Sequence, residues 1–241
     1  IGLAALDVST GIFKVTQFND DKTGSPLTDE LQKLAPKEIL IPEALVDQPK
    51  PWLPSGDPFL HSWEDWTYSH SEAVRNLLNH FKTQSLEGFG CENMSHGISA
   101  AGALIHYLHE TQKSALEHIN SISPFYIHDY MALDQSTVTS LELIQSSEGT
   151  RKNSLLNLMD ESCTPMGARR IREWIIQPLI DSEKIKARLE IVSIFKSLPL
   201  NRQETRDLLK KIFDLERLLG KITLSVCNAR DLVSLKNSIG T

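Results

Sequence analysis

The stretch GLAALDVSTGIFKVTQF, residues 2–18, decides how the chain begins to fold. Two β-compatible runs, Gly2–Val8 and Ile12–Phe18, flank Ser9–Gly11, whose small polar residues and glycine suit a tight turn. The sequence therefore predicts a β-hairpin. Because the chain opens at Ile1 without a methionine, we expect it to be an internal piece of a larger protein that begins inside a sheet.

The segments that follow the hairpin continue an α/β pattern. Leu27–Leu34 is predicted to be helical, and Glu38–Ile41 reads as a short buried strand that Pro42 ends. The order β-β-α-β results. Residues 43–66 are rich in proline and tryptophan and show no period, so they are predicted to form a long surface loop.

Two helices are predicted next. Ser69 and Glu72 have the spacing of a capping box, and apolar residues at helical intervals then indicate a helix over 70–82. Burial of its apolar stripe leaves Arg75, Asn76 and Asn79 facing outward. After a break at Gly88-Phe89-Gly90, a second apolar stripe predicts a helix over 97–112.

The chain beyond residue 130 has helical patterning almost throughout. Helix starts are predicted by the capping residues Thr164 (followed by Pro165), Asp181, Asn201 (with Glu204), Asp214 and Asn228. Ile171, Trp174, Leu189 and Leu215 lie on apolar stripes and are predicted to be buried. The fold class is therefore α/β followed by all-α.

Composition and charge exclude several functions. The 241 residues are 40% hydrophobic and carry a net charge of −6. Residues 1–120 hold 8 Lys and Arg against 16 Asp and Glu, a net charge of −8, and the remainder has +2. A self-sufficient nucleic-acid binder needs a basic surface, which neither half provides. Three widely spaced cysteines fit free thiols in a reducing cytoplasm, and no apolar run is long enough for a membrane span.

No motif for catalysis or cofactor binding stands out. Neither G-x-x-x-x-G-K-[ST], G-x-G-x-x-G nor G-x-S-x-G occurs, and Gly88-Phe89-Gly90 lacks the remaining residues of a phosphate loop. His106 and His109 share a helix face, but the sequence places no third metal ligand beside them. We therefore predict no catalytic, cofactor-binding or metal site.

Asp7 raises one alternative to a chain without a catalytic site, namely a nuclease. An aspartate on the first strand of a β-β-α-β unit is where ribonuclease H-like nucleases hold a magnesium ligand, and two-metal chemistry needs several converging carboxylates. The later acidic residues follow no pattern that brings them to Asp7. A hydrogen-bonding role in the turn is the preferred interpretation, and a magnesium-dependent nuclease and a free-standing helical interaction module remain the alternatives.

Eight groups of residues, in series along the chain, resemble the bacterial MutS family of DNA mismatch repair proteins. They are Leu6-Asp7-Val8-Ser9-Thr10-Gly11, Gly88-Phe89-Gly90, Met131-Ala132-Leu133-Asp134 with Leu141-Glu142-Leu143, Ser154-Leu155-Leu156, Thr164-Pro165-Met166-Gly167-Ala168-Arg169, Trp174-Ile175 with Gln177-Pro178-Leu179, Arg188-Leu189, and Asp214-Leu215-Glu216-Arg217. Any one alone is a weak signal, but their order and spacing extend over essentially the whole chain.

The resemblance implies a specific place in a larger protein. Residues 1–115 would be most of a connector domain, a ribonuclease H-like α/β fold without its first strand and without nuclease function. Residues 116–241 would be the first half of a helical core, or lever, domain. The family's mismatch-reading domain, and the ATPase domain that binds ATP and Mg²⁺, would lie outside this chain. The piece itself would not be an enzyme, although the parent would be a DNA-dependent ATPase.

The resemblance also implies partners. The connector and lever would relay conformational change between the DNA-binding elements and the ATPase, in a cytoplasmic homodimer that binds mismatched double-stranded DNA. The connector would dock MutL, for which Arg75, Asn76 and Asn79 offer a polar surface. Arg169 and Arg170 are candidates for a contact with another domain or with the DNA backbone, with ion pairs inside the lever as the simpler interpretation.

Overall fold

The computed structural model describes residues 1–19, 25–54, 56, 58–112 and 116–241. The chain forms two compact units, Ile1–Ile127 and His128–Thr241. The division predicted at residue 115 adjoins residues 113–115, which lie outside the described residues, and it stays a prediction. Unit 1 is mixed α/β, and unit 2 is helical.

The predicted hairpin is confirmed. Strands β1 (Gly2–Asp7) and β2 (Ile12–Gln17) pair in antiparallel register, with Gly2 opposite Gln17 and Asp7 opposite Ile12. In the turn, the Asp7 carbonyl oxygen accepts from the Gly11 N–H at 2.8 Å, and Gly11 adopts a φ of +75° that favours glycine. A short strand, which we call β5 (Ser123–Pro124), pairs with β2 in parallel.

A second sheet corrects the predicted surface loop. After helix α1 (Ser25–Leu34), strand β3 (Glu38–Pro42) pairs in parallel with β4 (Phe59–Trp63), which lies inside the segment 43–66. The loop prediction was wrong for these five residues because their strand conformation depends on pairing with β3, which local periodicity does not report. Residues 55 and 57 of the same segment lie outside the described residues.

Helices α2 (His70–Phe81) and α3 (Ser95–Thr111) match the two predicted helices. Ser69 occupies the N-cap position of α2, but its side chain makes no capping hydrogen bond, so the predicted capping box does not form. Helix α3 packs against α2 and against the hairpin, and the core between them is apolar. Its fully buried side chains include Phe13, Val15, Leu77, Ile98 and Ile105.

Unit 2 contains seven helices within its described residues. They are α4 (Gln135–Ser140), α5 (Leu155–Met159), α6 (Pro165–Ile176), α7 (Ser182–Ser197), α8 (Pro199–Leu209), α9 (Leu215–Thr223) and α10 (Ala229–Ile239). The caps predicted at Thr164, Asp181, Asp214 and Asn228 are confirmed, because each side chain accepts a hydrogen bond from a backbone N–H of its helix. Asn201 is not a cap, since α8 already begins at Pro199, a favoured first helical residue.

The predicted burial in unit 2 is partly wrong. Trp174 is 40% exposed and Leu189 is 59% exposed, whereas Ile171 and Leu215 are half-buried. A helical stripe reports which residues share a face, not whether that face meets a partner within the same chain. The guanidinium carbon of Arg188 lies 4.0 Å from the centre of the Trp174 ring and covers one side of it.

We expect Gly102→Ala to lower the free energy of unfolding of unit 1 by about 2 kcal/mol. A Cβ atom at Gly102 would overlap the Cα and Cβ atoms of Ala73, which is fully buried on α2. This cost opposes a gain of about 1 kcal/mol that alanine brings inside a helix. Urea unfolding would measure the difference. The control is Gly88→Ala, whose Cβ would meet no atom within 4 Å; equal stability of the two variants would contradict the packing argument.

Candidate partner-binding surfaces

The three residues predicted to face a partner, Arg75, Asn76 and Asn79, all lie on helix α2. Arg75 is exposed and forms an ion pair with Glu72 one turn earlier, and Asn79 is also exposed. Asn76 is only half-exposed, and its side-chain Nδ2 atom is buried with no hydrogen-bond partner among the residues that the structure describes. The predicted outward face is therefore confirmed for Arg75 and Asn79, while Asn76 turns partly inward.

Asn76 and Asn79 line a cleft of about 480 Å³ between α2 and α3. The remaining polar lining comes from His80, Lys82, His106 and His109. Leu116 and Glu117, which follow α3, complete it. The sequence analysis missed this cleft because three separate segments contribute to it. Only the pair His106 and His109 gave a local signal.

The histidines of the cleft have defined hydrogen bonds. His80 Nε2 lies 2.7 Å from the carbonyl oxygen of Ile119, which can only accept, so Nε2 carries the proton. His80 Nδ1 is then an acceptor, 3.1 Å from Nε2 of His109. Burial is the main cause that lowers the pKa of His80 below its ordinary value. His106 Nδ1 accepts from the indole N–H of Trp63 at 3.2 Å.

His109 thus pairs with His80 and not with His106, its neighbour on the helix. Within the part of the chain that the structure describes, no group of three or more His, Cys, Asp or Glu side chains could hold a metal ion. In the same residues, no helix combines the length and apolarity needed to cross a membrane.

Asp7 has the turn role that the sequence analysis preferred. Its Oδ1 atom accepts from the backbone N–H of Ser9 at 2.9 Å and from the Ser9 hydroxyl at 2.7 Å. The carboxylate therefore closes the β1–β2 turn. No described cluster of acidic residues surrounds it, so the nuclease alternative gains no support from the geometry.

Arg169 joins two helices of unit 2. Its guanidinium donates to both carboxylate oxygens of Asp214, at 2.7 and 2.8 Å, and to Glu216 at 2.6 Å. Asp214 also caps α9, so one carboxylate fixes the start of α9 and binds α6. Hydrogen bonding from Arg169 is the main cause that lowers the pKa of Asp214. Bidentate pairing of this kind is geometrically specific.

The other arginines of α6 differ from Arg169. Arg170 is exposed and pairs with Glu173 on the same helix at 2.7 Å. Arg172 is half-buried, and burial lowers its pKa. The ion pairs at Arg169 and Arg170 agree with the simpler interpretation made from the sequence. A contact of either residue with another domain or with DNA concerns groups outside this chain and stays a prediction.

Comparison with known proteins identifies relatives of both units. The family described as MutS domain II matches residues 1–120, and MutS domain III matches residues 136–241. Proteins named DNA mismatch repair protein MutS are similar over 99% of this chain. Those from Halothermothrix orenii, Alkaliphilus metalliredigens and Methanosarcina barkeri are 44%, 42% and 36% identical to it. The chain spans 27%, 28% and 27% of their respective lengths.

We expect the chain to lose stability on acidification, in part through His80. Because the folded state holds its pKa below the unfolded value of about 6.5, the unfolded state binds more protons as the pH falls. The contribution is fully present above pH ~6.5 and declines below it. Chemical unfolding between pH 7.5 and 5 should show a shallower decline for His80→Gln than for the parent chain. His70→Gln, at an exposed position of the same helix, is the control and should keep the parental slope.

Proposed function

Because the chain belongs to the MutS family of DNA mismatch repair proteins, we propose that it is a relay and docking segment of a mismatch-recognition ATPase. In this proposal, residues 1–115 form the connector domain and residues 116–241 form the first half of the lever. The observation that carries it is the consecutive match to MutS domains II and III along one chain. The parent would bind mismatched double-stranded DNA as a cytoplasmic homodimer.

The chemistry of the parent would reside outside this chain. The sequence has no G-x-x-x-x-G-K-[ST] phosphate loop, and the described residues offer no three-donor group for a metal ion. The residues present here therefore do not fit ATP or Mg²⁺, and we derive no step through either. The role proposed for this segment is mechanical.

The connector assignment includes a ribonuclease H-like sheet. Two observations support it. The order β-β-α-β-β is present, and β1 and β3 each have an edge that pairs with no other described strand. Helix α3 touches both sheets, because Gly97 lies against Val15 of β2 while the Tyr107 hydroxyl donates to Glu38 of β3 at 2.7 Å. One further strand between β1 and β3, from another part of the parent protein, would join them into a single sheet.

The lever assignment is supported by features of unit 2 that suit a relay. Coupling between distant sites needs rigid elements that can take up more than one arrangement. The Arg169–Asp214–Glu216 cluster links α6 to the start of α9, and in this proposal it supplies the rigid element. By contrast, α7 exposes apolar residues on several sides, among them Leu189, Ile191, Val192 and Ile194. Other parts of the parent would cover them.

The two alternative functions are less well supported. A ribonuclease H-type nuclease needs converging carboxylates, and Asp7 is engaged in its turn. A free-standing helical interaction module is less well supported because consecutive parts of the chain, in both units, match MutS domains II and III.

Charge reversal at Arg170 tests the relay. In the full-length protein, we expect Arg170→Glu to weaken binding to mismatched DNA about fivefold and to reduce the stimulation of ATP hydrolysis by that DNA. A lost phosphate contact would also lower the slope of log affinity against log salt by about one. The control is Lys210→Glu, since Lys210 likewise forms an exposed pair, with Asp207 three residues earlier. Unchanged DNA binding and ATP response in Arg170→Glu would rule out this role.

Crosslinking tests the docking surface. We expect a crosslinker at Arg75→Cys or Asn79→Cys in the full-length protein, with mismatched DNA and ATP present, to capture MutL. The same crosslinker at Glu87→Cys, an exposed position of unit 1 outside α2, should capture none. Absence of product at both α2 positions would refute docking on this face.

A further inference from the structure

Aromatic rings of unit 1 form a continuous row that runs over β4, α3 and the 3₁₀ turn Asp65–Tyr68. We call this row the aromatic ladder, and its members are Phe59, His61, Trp63, Trp66, His106 and Tyr107. The centres of neighbouring rings lie 5.0 to 6.0 Å apart, within the range of favourable ring contacts. The β4 members alternate along the strand and therefore lie on one face of it.

The two ends of the ladder are open to solvent. Phe59 is 65% exposed and Trp66 is 49% exposed. Exposed Leu45 lies in the same area as Trp66, because the Asp65 carboxylate accepts from the backbone N–H of Ala44 at 3.1 Å. Large apolar and aromatic side chains that are exposed together are typical of an interaction surface.

The ladder has acidic surroundings. Residues 38–66 contain one lysine against six Asp and Glu, which gives this segment a net charge of −5. Glu64 and Asp65 directly precede Trp66, and all three are exposed. Such a surface repels phosphate groups and attracts cations, so it does not suit a nucleic acid or an anionic membrane.

One carboxylate is in contact with the ladder itself. The Oε1 atom of Glu38 accepts from the Tyr107 hydroxyl at 2.7 Å and lies 3.8 Å from Nδ1 of His61. These contacts hold the carboxylate against the rings. The Glu38 side chain is nevertheless 41% exposed, so a cation outside the chain can reach it.

A guanidinium group has the chemistry that matches this surface. It is planar, stacks on aromatic rings and pairs with carboxylates, whereas a lysine ammonium group is a strongly hydrated point charge. Tryptophan is the best aromatic partner for a cation, and Trp66 has two carboxylates beside it in the chain. Arginine is also enriched in protein interfaces, together with aromatic residues.

We propose that the aromatic ladder is a docking surface for an arginine-bearing segment of a partner protein. A guanidinium group of that segment stacks on Trp66 and pairs with Glu64, and its apolar side chains pack on Phe59 and Leu45. The ladder includes none of the α2 residues Arg75, Asn76 and Asn79, so the inference does not rest on the docking function proposed above.

Two synthetic peptides test which cation is recognised. One consists of three Arg-Leu-Gly units and the other of three Lys-Leu-Gly units, so both have the same length and charge. We expect the full-length protein to bind the arginine peptide at least about fivefold more tightly, because only the guanidinium group stacks on the rings. Isothermal titration calorimetry measures both affinities, and equal affinities would overturn guanidinium recognition.

Substitutions in the full-length protein locate the binding site. Trp66→Ala should weaken binding of the arginine peptide about tenfold, as expected for an aromatic anchor at the centre of an interface. Phe59→Ser should weaken it about threefold and, at a position 65% exposed, should leave the fold intact even if Trp66→Ala does not. The matched control is Tyr126→Ala, which removes a 41% exposed ring outside the ladder and should change the affinity less than about twofold.

A charge pair of variants tests the acidic component. Glu64→Gln should weaken binding of the arginine peptide about threefold, and this loss should shrink at high salt because the charges are exposed. Glu87→Gln, the same change at an exposed position of unit 1 outside the ladder, should have no such effect.

Two further results would overturn the proposal. If Trp66→Ala and Phe59→Ser both bind the arginine peptide like Tyr126→Ala, the ladder is not the docking surface. Hydroxyl-radical footprinting of the full-length protein without peptide should oxidise Phe59 and Trp66 readily. Protection of both rings would show that the parent itself covers the ladder, and the assignment to a partner protein would fail. Crosslinks from α2 to MutL report on the other surface and are expected to persist in every ladder variant.

Discussion

Helix α3 approaches its neighbours in unit 1 so closely that two of its positions have no room for a Cβ atom. At Gly97 such an atom would lie 2.7 Å from Cγ2 of Val15, and at Gly102 it would overlap Ala73. The backbone of α3 is therefore in direct contact with the Val15 side chain at Gly97 and with Ala73 of α2 at Gly102, on two faces of the helix. The hairpin, β3 and α2 all depend on α3 for their positions, because each of them contacts it.

Unit 2 is held together differently. Few of its apolar side chains are buried, and Leu156, Ile176 and Leu218 are among those that are. Its helices are instead fixed at their starts by capping side chains, and α6 is bound to α9 by the Arg169 cluster. Half-buried, bidentate ion pairs specify one arrangement more than they stabilise it. Under the proposed lever role, the ion-paired helices α6 and α9 would supply a fixed element, and α7 would supply an apolar surface for other parts of the parent.

The sequence was informative for most features that depend on neighbouring residues, although the caps predicted at Ser69 and Asn201 do not form. The β1–β2 turn and the caps at Thr164 and Asp181 follow from local hydrogen bonding, and all were predicted correctly. Strand β4 was missed because it exists only through pairing with β3. Trp174 was wrongly placed in the core because periodicity identifies a face but not its partner. The cleft was beyond prediction for a related reason: residues near 80, 106 and 117 meet only after α2 and α3 have packed.

The close packing of α2 against α3 affects how docking on α2 could be transmitted to the rest of unit 1. Ala73 and Asn76 lie one turn apart on α2, one against Gly102 of α3 and the other at the cleft. A tightly packed contact has no free space through which α2 could shift while α3 stays in place. Under the proposed docking role, a partner bound to α2 would therefore act on α3 as well, and through Gly97 on the hairpin. Under the proposed function, docking on α2 and the relay of conformational change are two consequences of this one helix pair.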